Sequence, residues 1–254
     1  MSYKPVRGLE FKAVQAMMFA GIYREGLRLY QHPVKAFRAL QALQKHGAQV
    51  LAGQKLSKGF KISGKYGWDM FHPLWPSPAF RKFFYHHLEE VYPSGKNTGV
   101  LRRLLVAITK KCPLQCAHCS EWDTLNQKDI LSREEYEEKI RAMIKYGVSQ
   151  IVYSGGEPLN RFADLLYLIG KFDHTSQWIY TSGYGLTPEK AQQLRLAGLE
   201  GVAVSLDHHI PEEHNAFRGN TRSFSWVENA VKNCKEAGLF VSINICPGRE
   251  YIVS

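Results

Sequence analysis

Three closely spaced cysteines are the residues in this sequence best suited to chemistry. Cys112, Cys116 and Cys119 follow the spacing C-x3-C-x2-C, which lets one loop turn three thiolates toward one metal centre. Thiolates are the usual ligands of iron–sulfur clusters, and three ligands on a four-cornered cluster leave one iron open for chemistry. A closed zinc site needs a fourth ligand, and His118 is poorly placed to supply it because it adjoins Cys119. We therefore favour an iron–sulfur cluster over a zinc site with a distant fourth ligand or three structural thiols.

A second motif, Gly155-Gly156-Glu157-Pro158, follows the next predicted strand. Together with C-x3-C-x2-C at a strand end, it resembles the radical S-adenosylmethionine (SAM) superfamily, and within it the branch of molybdenum-cofactor cyclases and peptide-modifying maturases. The resemblance covers residues 100 to 246. It implies an enzyme with two cofactors, a [4Fe–4S] cluster on the three cysteines and SAM. In such enzymes the reduced cluster cleaves SAM, and the 5′-deoxyadenosyl radical that forms abstracts hydrogen from the substrate.

The resemblance also implies which residues meet SAM. Glu157 is expected to orient the backbone of its loop more than to transfer protons, and the glycines before it let that backbone approach closely because they lack a Cβ. Arg161 either reaches SAM or is an exposed arginine at a helix start. Thr181 and Ser205 either meet the SAM ribose or carboxylate or pack at strand ends. The expected cofactor-binding residues are His118, Gly155, Gly156, Glu157, Pro158, Arg161, Thr181, Ser205 and Asn244, the last from its place at the end of the fifth strand.

The run 213–219, Glu-His-Asn-Ala-Phe-Arg-Gly, resembles a loop of the same family that reads roughly His-Asp-x-x-Arg-Gly. Asn215 stands where that pattern has Asp. Stabilising the loop is the favoured role of this run, ahead of contact with the substrate. Elsewhere, Cys234 lies inside a predicted helix and is expected to be a buried small apolar side chain.

A regular alternation of predicted strands and helices positions these motifs. Such strand–helix repeats form parallel sheets with right-handed crossovers, and five of them predict an open, partial β/α barrel of the TIM type. In such barrels the functional groups gather at the carboxyl ends of the strands, where the motifs above are found. The predicted strands are 104–109, 150–153, 178–180, 202–205 and 240–245, and the predicted helices are 132–146, 162–171, 187–197 and 223–237.

The first part of the chain is predicted to form a separate, mainly helical region. Its predicted elements are helices over 9–29, 33–50 and 78–91 and a small hairpin over 61–68 that turns at Ser63-Gly64. The stretch 71–84, rich in proline and aromatic residues, is expected to cover a core edge rather than form a lid. A Pro-Ser-Gly run places the domain boundary near residue 98, which divides the chain into a basic region 1–97 and a barrel 98–254.

The charge of the chain is unevenly divided. Its 33 Lys and Arg against 23 Asp and Glu give a formal charge of +10, but residues 1–111 carry +14 and residues 112–254 carry −4. A basic surface attracts anionic membranes, acidic partners or nucleic acid. We expect the two basic helices to pack on the domain or on a partner, ahead of contact between residues 1–60 and an anionic membrane. A solvated basic face is an equal alternative, and nucleic acid binding is not expected.

Five cysteines, three of them in one motif, do not form a disulfide framework, so the cytoplasm is the expected compartment, with peripheral membrane association as a further option. No uncharged run reaches the roughly 20 apolar residues of a membrane span. The resemblance implies an electron donor such as a flavodoxin or ferredoxin. The substrate is not identified; the branch resembled suggests a peptide, and the basic N-terminal region leaves a lipid as an alternative.

Family members have six strand–helix units, whereas we identify five before Ser254. We therefore expect a barrel that is truncated at its C-terminus and open on one side. The first function hypothesis is a radical SAM enzyme. The alternatives are a non-catalytic iron–sulfur scaffold and a zinc-binding protein, each acting through a partner or a membrane.

Overall fold

The computed structural model describes residues 4–52, 56–96 and 101–246. Two short 3-10 turns, Trp122–Thr124 and Pro158–Arg161, accompany the regular elements. In chain order the elements are β1 (Lys4–Arg7), α1 (Gly8–Tyr30), α2 (Pro33–Val50), β2 (Lys58–Ile62), β3 (Lys65–Gly67), α3 (Pro78–Val91), β4 (Arg103–Thr109), α4 (Arg133–Lys145), β5 (Gln150–Gly155), α5 (Phe162–Lys171), β6 (Ser176–Thr181), α6 (Pro188–Ala197), β7 (Gly201–Ser205), α7 (Pro211–Arg218), α8 (Ser223–Ala237) and β8 (Phe240–Asn244).

A five-stranded parallel sheet organises the later part of the chain. Its strands follow chain order, β4-β5-β6-β7-β8, and every neighbouring pair is parallel. Each strand is joined to the next by at least one helix, so the predicted partial β/α barrel is confirmed. The five predicted strands and four predicted helices of this part all occur, with ends within two residues of those predicted.

The helices cover one face of this sheet. Alternate residues of a strand project to opposite faces, and Ile151, Tyr153 and Ile179 project to the face that also buries Leu165 and Leu194 of the helices. Removing apolar surface from water at about 25 cal/mol per Å² is the main force that holds the two layers together. The predicted burial of Cys234 is confirmed, since this side chain lies in the same core.

The start of α4 is fixed as the sequence predicts. Ser132 Oγ accepts a hydrogen bond from Glu135 N at 3.2 Å, and the Glu135 carboxylate accepts one from Ser132 N at 2.7 Å. These two bonds form a capping box, which satisfies backbone donors that the first helical turn leaves free. α6 begins in the same manner, with Thr187 Oγ1 accepting from Lys190 N and Pro188 in the first turn.

In its described residues, the N-terminal region consists of three helices and a three-stranded antiparallel sheet. α1, α2 and α3 pack around a core that includes Met18, Leu29 and Phe80, as expected for basic helices that pack on their own domain. The hairpin of β2 and β3 turns at Ser63 and Gly64, both at positive φ, as predicted. The sequence analysis missed β1, which pairs with β2. None of the helices in the described ranges is both long and apolar enough to cross a membrane.

The N-terminal region closes the inner face of the barrel sheet at the amino ends of its strands. Met70 is buried among Val152, Trp178 and Ala203, which project from the face opposite the helices. Gln150 Nε2 donates a hydrogen bond to Met70 O at 2.9 Å and holds this segment in place. Leu74 of the proline-rich stretch is buried against Phe60 and Ile62 of the hairpin, which agrees with the expected role of this stretch in covering a core edge. The predicted domain boundary near residue 98 lies outside the described residues.

Candidate functional site

The three cysteines lie on one loop directly after β4. Each side chain is partly exposed, while Leu114 between the first two is buried and anchors the loop. Burial raises the pKa of the Cys112 thiol to about 11, and a hydrogen bond with the backbone of Leu114 opposes this rise. No three His, Cys, Asp or Glu side chains in the described parts of the chain are grouped tightly enough to hold a single metal ion.

The segment after the cysteines folds back and supports the base of the loop. Asn126, at a φ of 61°, accepts a hydrogen bond from Cys112 N through Oδ1 at 3.0 Å. Its own backbone N donates to Lys110 O at 2.8 Å. Asp129 accepts from Thr109 Oγ1 at 2.9 Å and from Lys110 N at 2.7 Å. The sequence analysis missed both residues, although Asn in a loop is one of the few residue types that tolerate the left-handed conformation.

The end of α7 supports the loop from another side. Gln115 N donates to Arg218 O at 3.1 Å, and Ala117 N donates to Phe217 O at 3.0 Å. The His118 ring stacks on the Phe217 ring, with centroids 4.8 Å apart and planes 18° apart. The His118 ring thus packs on the end of α7, and its contact with SAM stays a prediction.

A buried ion pair lies behind the loop. Arg218 Nε donates to Asp207 Oδ2 at 2.5 Å, and both residues are more than nine-tenths buried. Arg218 Nη1 also lies 3.5 Å from Cys116 Sγ. Burial raises the pKa of the Cys116 thiol, and the Arg218 guanidinium acts against that rise.

The run 213–219 forms most of α7 and the glycine that follows it, and the sequence analysis did not predict this helix. Asn215 Oδ1 accepts from Ser223 Oγ at 2.8 Å and from Phe224 N at 2.9 Å. His214 is buried, and its Nδ1 accepts from Asp207 N at 3.2 Å. These contacts agree with loop stabilisation as the favoured role of the run.

The glycine pair after β5 is required by a close approach of the chain to itself. A Cβ on Gly155 would lie 2.3 Å from Thr109 O, and one on Gly156 would lie 2.4 Å from Lys111 O. Gly155 also has a φ of 131°, which side chains disfavour. Gly156 N donates to Thr109 O and Glu157 N to Lys111 O, both at 2.7 Å. The close approach expected of these glycines is therefore made to the segment that leads into the cysteine loop.

Glu157 faces the protein interior and joins its loop to the end of β6. It is 1% exposed and accepts hydrogen bonds from Thr181 Oγ1 at 2.7 Å, Ser182 Oγ at 2.6 Å and Ser182 N at 2.9 Å. Burial raises the pKa of this carboxyl group, and the bonds from Ser182 and Thr181 oppose the rise. The bonds agree with an orienting role for Glu157, and they engage the hydroxyl of Thr181 at the end of its strand.

Arg161 has a role that neither expectation described. Its Nη1 donates to Ile108 O at 3.1 Å and to Leu131 O at 3.0 Å, and its Nε donates to Asp164 Oδ2 at 2.8 Å. The side chain is 16% exposed, so it is not an exposed helix-start arginine. It ties the end of β4 to the segment before α4 and to the start of α5.

The remaining predicted residues lie at the same edge of the sheet. Ser205 and Asn244 are register partners at the ends of β7 and β8, and both are partly exposed. Pro158 is buried at the first position of the 3-10 turn after the glycine pair. A half-open cavity of 340 Å³ borders Gly155 and Gly156 on the β4 side. The structure thus brings the predicted residues to one rim, while the side chains of Glu157, Thr181 and Arg161 point into the protein.

Comparison with known proteins extends the resemblance to the whole barrel. Residues 106–251 match the model of the radical SAM superfamily. A curated relative, the PqqA peptide cyclase of Streptomyces rochei, is 32% identical over 150 residues, which cover 58% of this chain and 41% of that protein. The chain therefore spans about two fifths of the length of this relative.

Solved structures of Streptococcus suis SuiB share the fold. SuiB bound to S-adenosylmethionine and SuiB bound to the precursor peptide SuiA each align with a TM-score of 0.51 at 15% identity. Each alignment covers 93% of this chain and 52% of SuiB. The resemblance inferred from two short motifs is confirmed: because the family model matches more than half of its residues, this chain belongs to the radical SAM superfamily.

Proposed function

We propose that this chain is a radical SAM enzyme in which Cys112, Cys116 and Cys119 hold a [4Fe–4S] cluster. The single observation that carries the proposal is the cysteine loop itself. It presents three partly exposed thiols at the end of the first barrel strand, and it is braced by the segment around Asn126 and by the end of α7. A site that must hold a metal cluster reproducibly needs such support around its ligands.

The donor set fits an iron–sulfur cluster. All three candidate ligands are thiols, which iron–sulfur clusters prefer. The zinc alternative needs a fourth ligand in addition to the three cysteines, because closed zinc sites have four. When bound and reduced, the cluster with SAM supplies a 5′-deoxyadenosyl radical that takes hydrogen from a substrate.

We assign SAM to the rim beside the loop. The glycine pair holds the end of β5 close to the segment that leads into the cysteine loop. The side chain of Glu157 binds Ser182 and so orients the loop after β5 relative to the end of β6. His118, Ser205 and Asn244 are the predicted residues whose side chains are at least partly exposed there. Thr181 and Arg161 support the rim from within, through their hydrogen bonds to Glu157 and to backbone carbonyls.

We propose a peptide as the substrate. The name of the PqqA peptide cyclase and the complex of SuiB with its precursor peptide support this class. The inner face of the sheet offers a surface for it, because Leu105 is 60% exposed there and Met70 closes the amino end. A small electron-transfer protein such as a flavodoxin or ferredoxin would reduce the cluster.

Formation of 5′-deoxyadenosine tests the proposal. The chain is reconstituted anaerobically with iron and sulfide, reduced with dithionite, and incubated with SAM. We expect 5′-deoxyadenosine from the wild type and from Cys246→Ala, a control that removes an exposed thiol outside the loop, and none from Cys116→Ala. A loaded wild type that forms no 5′-deoxyadenosine supports the non-catalytic iron–sulfur scaffold instead. A chain that takes up zinc and no iron supports the zinc alternative.

A second candidate, peripheral binding to an anionic membrane, is favoured by the outward face of α1. Leu9 is 84% exposed and Met17 is 48% exposed, and the cations Lys12 and Arg24 of the same helix are also exposed. Exposed apolar side chains and cations on one helix are features that attract an anionic lipid surface. We expect the chain to float with vesicles rich in phosphatidylserine, and Leu9→Asp to weaken this binding. Equal recovery with purely neutral vesicles contradicts the candidate.

A further inference from the structure

We propose that Arg218 is a positioning residue that sets the reduction potential of the cluster through Cys116. This inference rests on the cluster site proposed above, and goes beyond it by assigning a role to a residue outside the cysteine loop. It is carried by three features of Arg218, namely its burial, its bond to Asp207 and its distance to Cys116 Sγ.

The guanidinium is held in one orientation. Its Nε donates to Asp207 Oδ2 at 2.5 Å, and Asp207 is itself fixed, because its Oδ1 accepts from Cys246 N at 3.2 Å and its backbone N donates to His214. Asp207 lies just after β7. Its bond to Arg218 therefore holds the guanidinium in a fixed position relative to the sheet. The remaining edge of the planar guanidinium therefore points at the cysteine loop in a fixed geometry.

The same residue holds the loop through its backbone. Arg218 O accepts from Gln115 N at 3.1 Å, and the preceding carbonyl of Phe217 accepts from Ala117 N at 3.0 Å. Gly219 follows at a φ of 65°, and a Cβ there would lie 2.9 Å from Gln115 O. The two sides of Cys116 are thus bonded to the two residues that end α7, which keeps Cys116 Sγ within reach of the guanidinium.

A buried positive charge beside a ligand sulfur affects the electron affinity of a cluster. Adding an electron to a centre already surrounded by thiolates is opposed by their negative charge. Hydrogen bonds and cations at the sulfur atoms offset that opposition and raise the reduction potential. Because Arg218 is 8% exposed, water screens its charge only weakly. Removing the charge should therefore make the cluster harder to reduce.

The test is a redox titration of the reconstituted cluster, followed by electron paramagnetic resonance. The variants are Arg218→Gln, which removes the charge, Arg218→Lys, which keeps it, and Arg222→Gln, which removes an exposed charge nearby as a matched control. We expect a more negative midpoint potential for R218Q, a value closer to wild type for R218K, and the wild-type value for R222Q. An R218Q potential equal to that of the wild type overturns the proposal.

Two further outcomes are decisive. If R218Q holds no cluster, R218K must hold one because it keeps the charge, and an R218K that also fails to load overturns the proposal. A wild-type chain that takes up neither iron nor sulfide contradicts the proposed cluster site and this inference with it. A loaded wild type with an unchanged R218Q potential contradicts this inference alone.

Discussion

Replacing Gly156 by alanine is predicted to displace the segment that leads into the cysteine loop. The new Cβ would lie 2.4 Å from Lys111 O, a backbone atom that cannot move without its neighbours. The displacement breaks the bonds from Gly156 N to Thr109 O and from Glu157 N to Lys111 O, both 2.7 Å long. Each buried donor left without a partner costs about 1–3 kcal/mol, so we expect a loss of about 3 kcal/mol in the free energy of unfolding.

Gly170→Ala is the matched control for this change. Gly170 lies in α5, and a Cβ there would meet nothing within 4 Å. Alanine in a helix is favoured over glycine by about 0.5–1 kcal/mol, so the control should gain stability where Gly156→Ala loses it. Urea unfolding of the apo chain, followed by circular dichroism, measures both. A Gly156→Ala chain as stable as the wild type would refute the close contact between the glycine pair and the approach to Cys112.

Three further perturbations test the parts of the fold around the site. Burial, and after it the charges of Arg102, His72 and His46, lower the pKa of His87 to about 3 in the folded chain. In the unfolded chain His87 binds a proton near pH 6.5. The free energy of unfolding should therefore fall as the pH drops from 6.5 toward 3. The loss is at most about 1.4 kcal/mol per pH unit, and urea unfolding of His87→Phe should show a weaker dependence. Ser132→Ala should cost about 1 kcal/mol in the same assay, because it removes a helix cap. Met70→Ala should cost about 2–4 kcal/mol by leaving a cavity against the sheet, and an unchanged midpoint would contradict its burial.

Most barrel elements could be predicted because each carries its own local signal. The Ser132 capping box, the proline at the start of α6 and the apolar strand runs act over a few residues. α7 carried such signals as well, with Pro211 at its start and Gly219 at its end, but its eight residues are too few to show a helical period. β1 depends on pairing with β2, more than fifty residues later in the chain, and no local pattern reveals such a partner.

The roles of individual site residues were harder to predict, because residue type does not determine direction. Thr181 was expected at the rim and lies there, but its hydroxyl is bonded to Glu157. Arg161 was expected to reach SAM or to be exposed at a helix start, and its hydrogen bonds to two backbone carbonyls could not be foreseen from residue type. Asn126 and Asp129 support the loop from a segment with no recognisable motif. Only the three-dimensional arrangement shows that these polar groups satisfy one another.

Iron and sulfide content of single cysteine variants tests the central claim most directly. After anaerobic reconstitution we predict about four iron and four sulfide per chain for the wild type and for Cys246→Ala, as a [4Fe–4S] cluster requires. Replacing Cys112, Cys116 or Cys119 by alanine should each abolish most of this uptake. Full iron and sulfide retention in any one of these three loop variants would contradict the assignment of the loop as the cluster site.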